Sequence, residues 1–92
     1  MKFLLNVIKI SNMVNAQQWL DKEYPKEIRS EIKELNIDSQ NLEGILNLVG
    51  FTNLERLNCG RNNLTSLDLS DCYQLEVLNC YIITNCKIAA RF

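Results

Sequence analysis

A segment of the chain recurs at a fixed spacing of 21 residues, and this repeat restricts the possible folds more than any other feature. Residues 53–59 read NLERLNC and residues 74–80 read QLEVLNC, so five of the seven positions are identical. An earlier unit begins at Ile32 if one inserted residue is allowed, which gives a spacing of 22. A period of this length is typical of proteins in which each repeat buries its apolar face against its neighbours.

The apolar positions of one unit follow the pattern LxxLxCxxNxLxxLxLxxC. Apolar and polar residues alternate over LxC, which is the period of a short strand with one buried face. Stacked units would then place their strands side by side in parallel around a continuous core. We expect structural roles in this core for Leu54, Leu57, Cys59, Leu64, Leu67, Leu69, Cys72, Leu75, Leu78 and Cys80. Asn62 follows the strand at a bend, where an amide can satisfy backbone N–H and C=O groups, so its predicted role is also structural.

Residues 14–31 are predicted to form a helical cap on the first repeat. Asn15 can cap the first helical turn, and Pro25 ends the helix and can begin a second helical stretch. The apolar residues of the first helix fall at helical spacing: Ala16, Trp19, Leu20 and Tyr24. Trp19 is expected to pack on the core, although a role as a ligand platform is the alternative. A repeat array requires such a cap because its first unit exposes an apolar end.

The remaining segments divide the chain into a terminal extension, the repeats and a tail. Residues 1–13 are interpreted as an extension that is poorly ordered or loosely docked. The alternative is a weak secretory signal, since apolar residues follow Lys2 and a small residue stands at Ala16. Residues 32–80 hold two repeats and the start of a third, and residues 81–92 diverge from the pattern.

Composition excludes several classes of function. The chain of 92 residues has 10 Lys and Arg against 11 Asp and Glu, so no strongly basic surface for nucleic acid is expected. It has no histidine, which excludes the His-dependent catalytic arrangements and zinc sites with His ligands. No run approaches the roughly 18 apolar residues that a membrane span needs. The three glycines match no nucleotide-binding motif, so we predict neither catalytic residues nor a cofactor.

The four cysteines are expected to serve mainly as small apolar residues in a reduced protein. Their spacings of 13, 8 and 6 from Cys59 through Cys72 and Cys80 to Cys86 contain no CxxC pair, so no metal site is predicted. Cys59 and Cys80 occupy equivalent inward positions, where a disulfide between neighbouring units is the alternative. Packing by free thiols favours a reducing compartment, and we predict the cytoplasm.

The segment LERLNCGRNNLTSLDL resembles the leucine-rich repeats, whose pattern LxxLxLxxNxL it matches at Leu54, Leu57, Cys59, Asn62 and Leu64. The length of 21 and the second LxL at Leu67 and Leu69 look like the short nested class of this family. The preceding helical segment is similar to the N-terminal part of fungal proteins with such repeats. This resemblance implies an α/β solenoid with parallel short strands and an N-terminal helical cap.

A solenoid of this kind would bind a partner protein with the outward residues of its strands. Among these residues Arg56 and Tyr81 are the favoured contacts, because both types are enriched at binding hot spots. The predicted partner-binding residues are Glu34, Asn36, Asp38, Arg56, Asn58, Arg61, Val77, Asn79 and Tyr81. We therefore predict a non-enzymatic protein-interaction module.

Two alternatives to this function stay open at the level of sequence. The first is a truncated fragment of a larger leucine-rich-repeat signalling protein, because about three repeats are needed for stability. An uncapped last unit would expose apolar surface and strand edges, which favours self-association. The second is a thiol redox or metal-binding protein that uses Cys59, Cys72, Cys80 and Cys86, against which their spacing argues.

Overall fold

The computed structural model describes residues 13–81 and 85–90 and shows an α/β fold with parallel strands in two sheets. The predicted α/β class with parallel strands is confirmed at this level. The elements in chain order are β1 (Val14–Asn15), α1 (Ala16–Glu23), a 3-10 helix (Lys26–Glu31), β2 (Glu34–Asn36), β3 (Leu42–Asn47), β4 (Arg56–Asn58), β5 (Asn63–Asp68), β6 (Val77–Asn79) and β7 (Lys87–Ala89). The predicted extension 1–13 lies, except for Met13, outside the described residues.

From β2 onward, the chain alternates between the two sheets. One sheet has the strand order β1-β3-β5-β7 and the other has the order β2-β4-β6. In the three-stranded sheet Leu35 pairs with Leu57, and Leu57 pairs with Leu78. These pairs are 22 and 21 residues apart, so the sequence repeat becomes the strand register.

A β-bulge adjusts the register between β3 and β5. Gly44 pairs with Leu64 at a spacing of 20, whereas the next residue, Ile45, pairs with Ser66 at a spacing of 21. The backbone of Gly44 has a φ of 89°, a left-handed conformation that glycine adopts without steric cost. The turn between β2 and β3, residues 37–41, is one residue longer than the turn between β4 and β5, residues 59–62.

Inward residues from both sheets and from α1 form a single apolar cluster. Its fully buried members include Leu54, Leu57 and Cys59 of the middle unit. The equivalent residues of the last unit, Leu75, Leu78 and Cys80, pack on the same cluster but are only partly buried. Burial therefore decreases toward β6, the last strand of its sheet.

Helix α1 is stabilised by the predicted cap and covers the core. The Oδ1 atom of Asn15 accepts a hydrogen bond from the backbone N–H of Gln18 at 2.9 Å, which confirms the N-cap. Ala16 and Leu20 are fully buried, and the ring of Trp19 lies 6.1 Å from that of Tyr24. No helix in the described part of the chain is long and apolar enough to cross a membrane.

The second helical stretch differs from the expectation. It is a 3-10 helix, and its buried residue is Arg29, while Ile28 is exposed. The guanidinium donates from Nε and Nη1 to the carbonyls of Tyr24 and Val49 and from Nη2 to the carboxylate of Asp21, so each of its nitrogens has a partner. A periodicity argument that counts apolar residues cannot identify such a position.

The tail 81–92 contains a strand that the sequence pattern did not indicate. Strand β7 pairs in parallel with β5, with Ser66 opposite Lys87 and Leu67 opposite Ile88. Each of these pairs has the spacing of 21 that relates the preceding units. Apolar Ile88 at the position equivalent to Leu67 was the available signal for this strand.

Candidate interaction surface

The exposed side of the β2-β4-β6 sheet carries a groove of about 230 Å³, here called the groove face. The first residue of each of its strands is exposed, the third is exposed in β2 and β6 and half-buried at Asn58 in β4, and the second residue packs on the core. The buried side chains of Leu35 and Leu57 lie at its floor. The groove face is lined by Glu34, Leu35, Asn36, Arg56, Leu57, Asn58, Val77 and Asn79.

Six of the nine residues predicted to bind a partner line this groove: Glu34, Asn36, Arg56, Asn58, Val77 and Asn79. They form two rows across the sheet, because the strands pair residue by residue. The first row is Glu34, Arg56 and Val77, and the second row is Asn36, Asn58 and Asn79. Neighbouring members of a row are separated by about 4.8 Å, the spacing of paired strands.

Two of the three asparagines in the second row, here called the asparagine row, are held by hydrogen bonds from the backbone. The Oδ1 atom of Asn36 accepts from the N–H of Asp38 at 3.1 Å, and the Oδ1 atom of Asn58 accepts from the N–H of Gly60 at 3.2 Å. Both bonds reach two residues ahead, as in an Asx turn. The two amides therefore have the same local geometry on adjacent strands.

Glu34 and Arg56 form a loose ion pair at the other end of the strands. The Nη1 atom of Arg56 lies 3.9 Å from Oε2 of Glu34, and both side chains are mostly exposed, by 64% and 71%. This distance exceeds that of a hydrogen bond, and exposed pairs of this kind contribute at most about 1 kcal/mol. Both charges are therefore available to a partner.

The other three predicted residues form a cluster where β2, β4 and β6 end. Arg61 donates from Nη2 and Nε to the carboxylate of Asp38, at 2.6 Å and 3.2 Å. Its guanidinium also lies 5.4 Å from the ring centroid of Tyr81, which is 43% exposed. The hydrogen bond from Arg61 lowers the pKa of the Asp38 carboxyl below its ordinary value. Within this cluster Tyr81 presents the exposed aromatic surface.

Gly60 is a member of this cluster that sequence reasoning missed. A Cβ atom at this position would lie 3.0 Å from Cε1 of Tyr81 and 3.1 Å from its carbonyl oxygen. The Tyr81 ring therefore packs directly on the backbone of Gly60, and a Cβ atom there would require the ring or the Tyr81 backbone to shift. The position of Gly60, one unit before Tyr81, was the signal available in the sequence.

Asn62 lies in the turn between β4 and β5 and is 5% exposed. Its Oδ1 atom accepts from the N–H groups of Gln40 and Leu42, at 3.0 Å and 3.1 Å. Its Nδ2 atom donates to the carbonyls of Ile37, Cys59 and Gly60, at 2.9–3.2 Å. One buried amide thus connects the turn of its own unit with the turn of the preceding unit.

The remaining residues with a predicted structural role lie in or against the core. Those that are fully or almost fully buried are Leu54, Leu57, Cys59, Leu64, Leu67, Leu69 and Cys72. Those that are partly buried and packed on it are Trp19, Leu75, Leu78 and Cys80. Of these residues, Leu57 alone also lines the groove.

All four thiols are free, and they occupy two kinds of environment. Burial raises the pKa of Cys59 to about 12 and that of Cys72 to about 11. Cys80 and Cys86 are only partly buried. Among residues 13–81 and 85–90, no three His, Cys, Asp or Glu side chains are grouped so that they would hold a metal ion.

The chain matches no protein-family model, no curated protein and no solved structure.

Proposed function

We propose that this chain is a short leucine-rich-repeat solenoid that acts as a non-enzymatic protein-interaction module. The pattern LxxLxCxxNxL and a strand register of 21 to 22 residues support the solenoid. The alternation of the chain between two parallel sheets is also what stacked repeats of this length require. The helical segment that packs on the first repeat serves as its cap in this proposal.

One observation supports the binding function: the groove lies where the repeat pattern predicts outward-facing residues on the strands. Outward residues were assigned from the repeat pattern alone, and six of the nine line one groove. The groove combines a buried leucine floor, one exposed valine and polar side chains on short strands. Apolar contact area beside fixed polar groups is the usual composition of a protein-binding site.

The proposal assigns neither catalytic residues nor a cofactor. The groove face holds carboxamides and one loose ion pair, and it has no nucleophile with an adjacent base. The buried thiols of Cys59 and Cys72 fit packing in a reducing compartment, so we place the protein in the cytoplasm.

Self-association is the second candidate, and the decreasing burial toward β6 favours it. Leu75, Leu78 and Cys80 are partly exposed, and Val77, Tyr81 and Ile88 are 43–48% exposed near the last strands of the two sheets. Apolar surface beside the edge of a sheet favours pairing with another strand. Sedimentation velocity between 1 and 100 µM tests it, since a single monomeric species across this range contradicts self-association.

Selection of peptide binders tests the proposed function. A library of random 12-residue peptides is selected on the immobilised chain, and the bound peptides are mapped by NMR amide shifts. We expect the largest shifts in β2, β4 and β6. Val77→Trp fills the groove and is expected to weaken binding at least tenfold, whereas Thr65→Trp on the opposite sheet leaves the affinity within twofold. Binding that maps to β3 and β5, or no binding at all, contradicts the proposal.

A further inference from the structure

We propose that the groove face recognises an acidic peptide segment of its partner through side-chain donors held in place by the backbone. This inference rests on the proposed function and specifies the chemistry of the partner. It follows because the side chains of the groove face leave more hydrogen-bond donors than charged acceptors available to a partner.

Two members of the asparagine row, Asn36 and Asn58, contribute donors whose orientation is fixed, because the oxygen of each amide accepts a hydrogen bond from the backbone. A carboxamide has one oxygen acceptor and an NH₂ group with two donors. In Asn36 and Asn58 the oxygen accepts from the backbone N–H two residues ahead. Within the described part of the chain, neither Nδ2 group has a hydrogen-bond partner. Each amide therefore presents two N–H donors in an orientation fixed by its oxygen.

Arg56 contributes further donors on the adjacent row. Its nearest carboxylate oxygen, on Glu34, lies 3.9 Å away, which is too long for a hydrogen bond. Arg61 is different, because Asp38 already occupies its Nε and Nη2 atoms at 3.2 Å and 2.6 Å. Of these two arginines, Arg56 is thus the one whose guanidinium remains available for a bidentate contact.

Donors outnumber acceptors on this surface. Against the donors of Asn36, Asn58 and Arg56, the carboxylate of Glu34 is the single charged acceptor that lines the groove. Carboxylates are the protein groups that accept from guanidinium and amide donors most strongly. An Asp- or Glu-containing segment that crosses the strands would meet these donors on adjacent strands about 4.8 Å apart. A basic segment would find Glu34 as the single carboxylate that lines the groove.

Binding of three matched peptides tests the inference. Fluorescence anisotropy is measured for labelled 12-residue peptides that alternate Gly with Glu, Gln or Lys. We expect the Glu peptide to bind at least tenfold more tightly than the Gln peptide, and the Lys peptide to bind most weakly. Equal affinities for the Glu and Gln peptides would overturn the inference.

Asn58→Asp isolates the role of the donors. The new carboxylate keeps an oxygen for the N–H of Gly60 but replaces the Nδ2 donors with an acceptor. We expect the Glu peptide to bind at least tenfold more weakly, and Asn36→Asp provides the same test on β2 if the first variant does not fold. Gln74→Glu makes the same change of charge on an exposed residue outside the groove face and is expected to leave the affinity within twofold. Unchanged binding in the folded Asn58→Asp or Asn36→Asp variant would contradict the inference.

The peptides from the random library separate this inference from the proposed function. Selected peptides that map to β2, β4 and β6 and are enriched in Asp and Glu support both. Peptides that map to the same strands without such enrichment overturn the inference and leave the proposed function in place. Peptides that map elsewhere overturn both.

Discussion

The guanidinium of Arg29 donates from Nη2 to Oδ1 of Asp21 at 2.7 Å, and this ion pair joins a fully buried side chain to a half-exposed one. The same guanidinium donates to the carbonyls of Tyr24 and Val49, at 2.7 Å and 3.0 Å. It also lies 5.2 Å from the ring centroid of Phe51. Arg29 therefore ties helix α1 and the 3-10 helix to the turn after β3.

Replacement of Arg29 by methionine is expected to lower the free energy of unfolding by about 3 kcal/mol. The substitution removes three hydrogen bonds and leaves two partly buried carbonyls without their donor. Urea denaturation followed by circular dichroism measures the change. Arg56→Met is the matched control, because Arg56 is 64% exposed and its replacement should change stability by less than about 0.5 kcal/mol. Equal stabilities of the two variants would contradict this role for Arg29.

The Asp21 carboxylate is expected to make the fold sensitive to acid. The hydrogen bond from Arg29 lowers the pKa of Asp21 below its ordinary value of 3.8. A carboxyl whose pKa is lowered by folding stabilises the protein above pH 3.8, and this contribution is lost as the pH falls through the folded-state pKa.

Urea denaturation between pH 7 and pH 2.5 tests this sensitivity. Asp21→Asn should lose less stability than the parent chain below pH 4, because its side chain cannot take up a proton. Part of the acid sensitivity is expected to remain, since hydrogen bonds from Arg61 and Ser70 also lower the pKa values of Asp38 and Asp68. Identical pH profiles for both chains would contradict a contribution from Asp21.

The repeat pattern predicted the parallel strands and the inward residues of the core. A period of 21 fixes which residues pair, and it places Leu57 beside Leu78, as in the register of β4 and β6. The N-cap at Asn15 was also predictable, because its interaction with Gln18 is local in sequence. Features that depend on residues close in sequence, or on a regular period, can be predicted from a single amino-acid sequence.

Other features depend on contacts that have no sequence signature. The burial of Arg29 requires a carbonyl at Val49, 20 residues away, in an irregular turn. The sequence pattern allowed one inserted residue in the first unit, but it did not indicate that the register changes between Gly44 and Ile45. The sequence pattern predicted which residues of the groove face point outward. It did not predict the hydrogen bonds from the backbone that orient Asn36 and Asn58.

Asn62→Asp is expected to destabilise the chain by about 3 kcal/mol at pH 7. The new carboxylate keeps the acceptor for Gln40 and Leu42, but it places a buried negative charge against the three carbonyls that Asn62 contacts as a donor. Because this environment favours the protonated form, the variant should recover part of its stability relative to the parent as the pH falls. Asn63→Asp is the control, since the adjacent exposed amide should tolerate the change within about 0.5 kcal/mol.

Buried and partly buried thiols are expected to react at different rates. Burial raises the pKa of Cys59 to about 12 and that of Cys72 to about 11, so both should be almost entirely protonated at pH 8. Alkylation with iodoacetamide, followed by peptide mass spectrometry, should modify Cys80 and Cys86 at least tenfold faster in the native chain. In 8 M urea the four rates should converge. Fast native modification of Cys59 would contradict its burial.

Gly60→Ala is expected to displace the Tyr81 ring and to lower the free energy of unfolding by about 2 kcal/mol. The added methyl group would meet Cε1 of Tyr81 at 3.0 Å and its carbonyl oxygen at 3.1 Å, which is an overpacked contact. The ring can move away, whereas the backbone oxygen is held by the N–H of Arg61 at 3.1 Å.

A double-mutant cycle with Tyr81→Ala separates these two contacts. Removal of the ring should relieve part of the cost of Gly60→Ala, with a coupling of about 1 kcal/mol, and the remainder belongs to the backbone contact. Urea denaturation of the four chains gives the coupling, and NMR contacts between the Tyr81 ring and residue 60 report the displacement directly. Additive effects with an unmoved ring would show that Tyr81 does not pack on Gly60. Because Tyr81 is the exposed aromatic group beside the groove face, this packing decides where a bound segment would meet an aromatic surface.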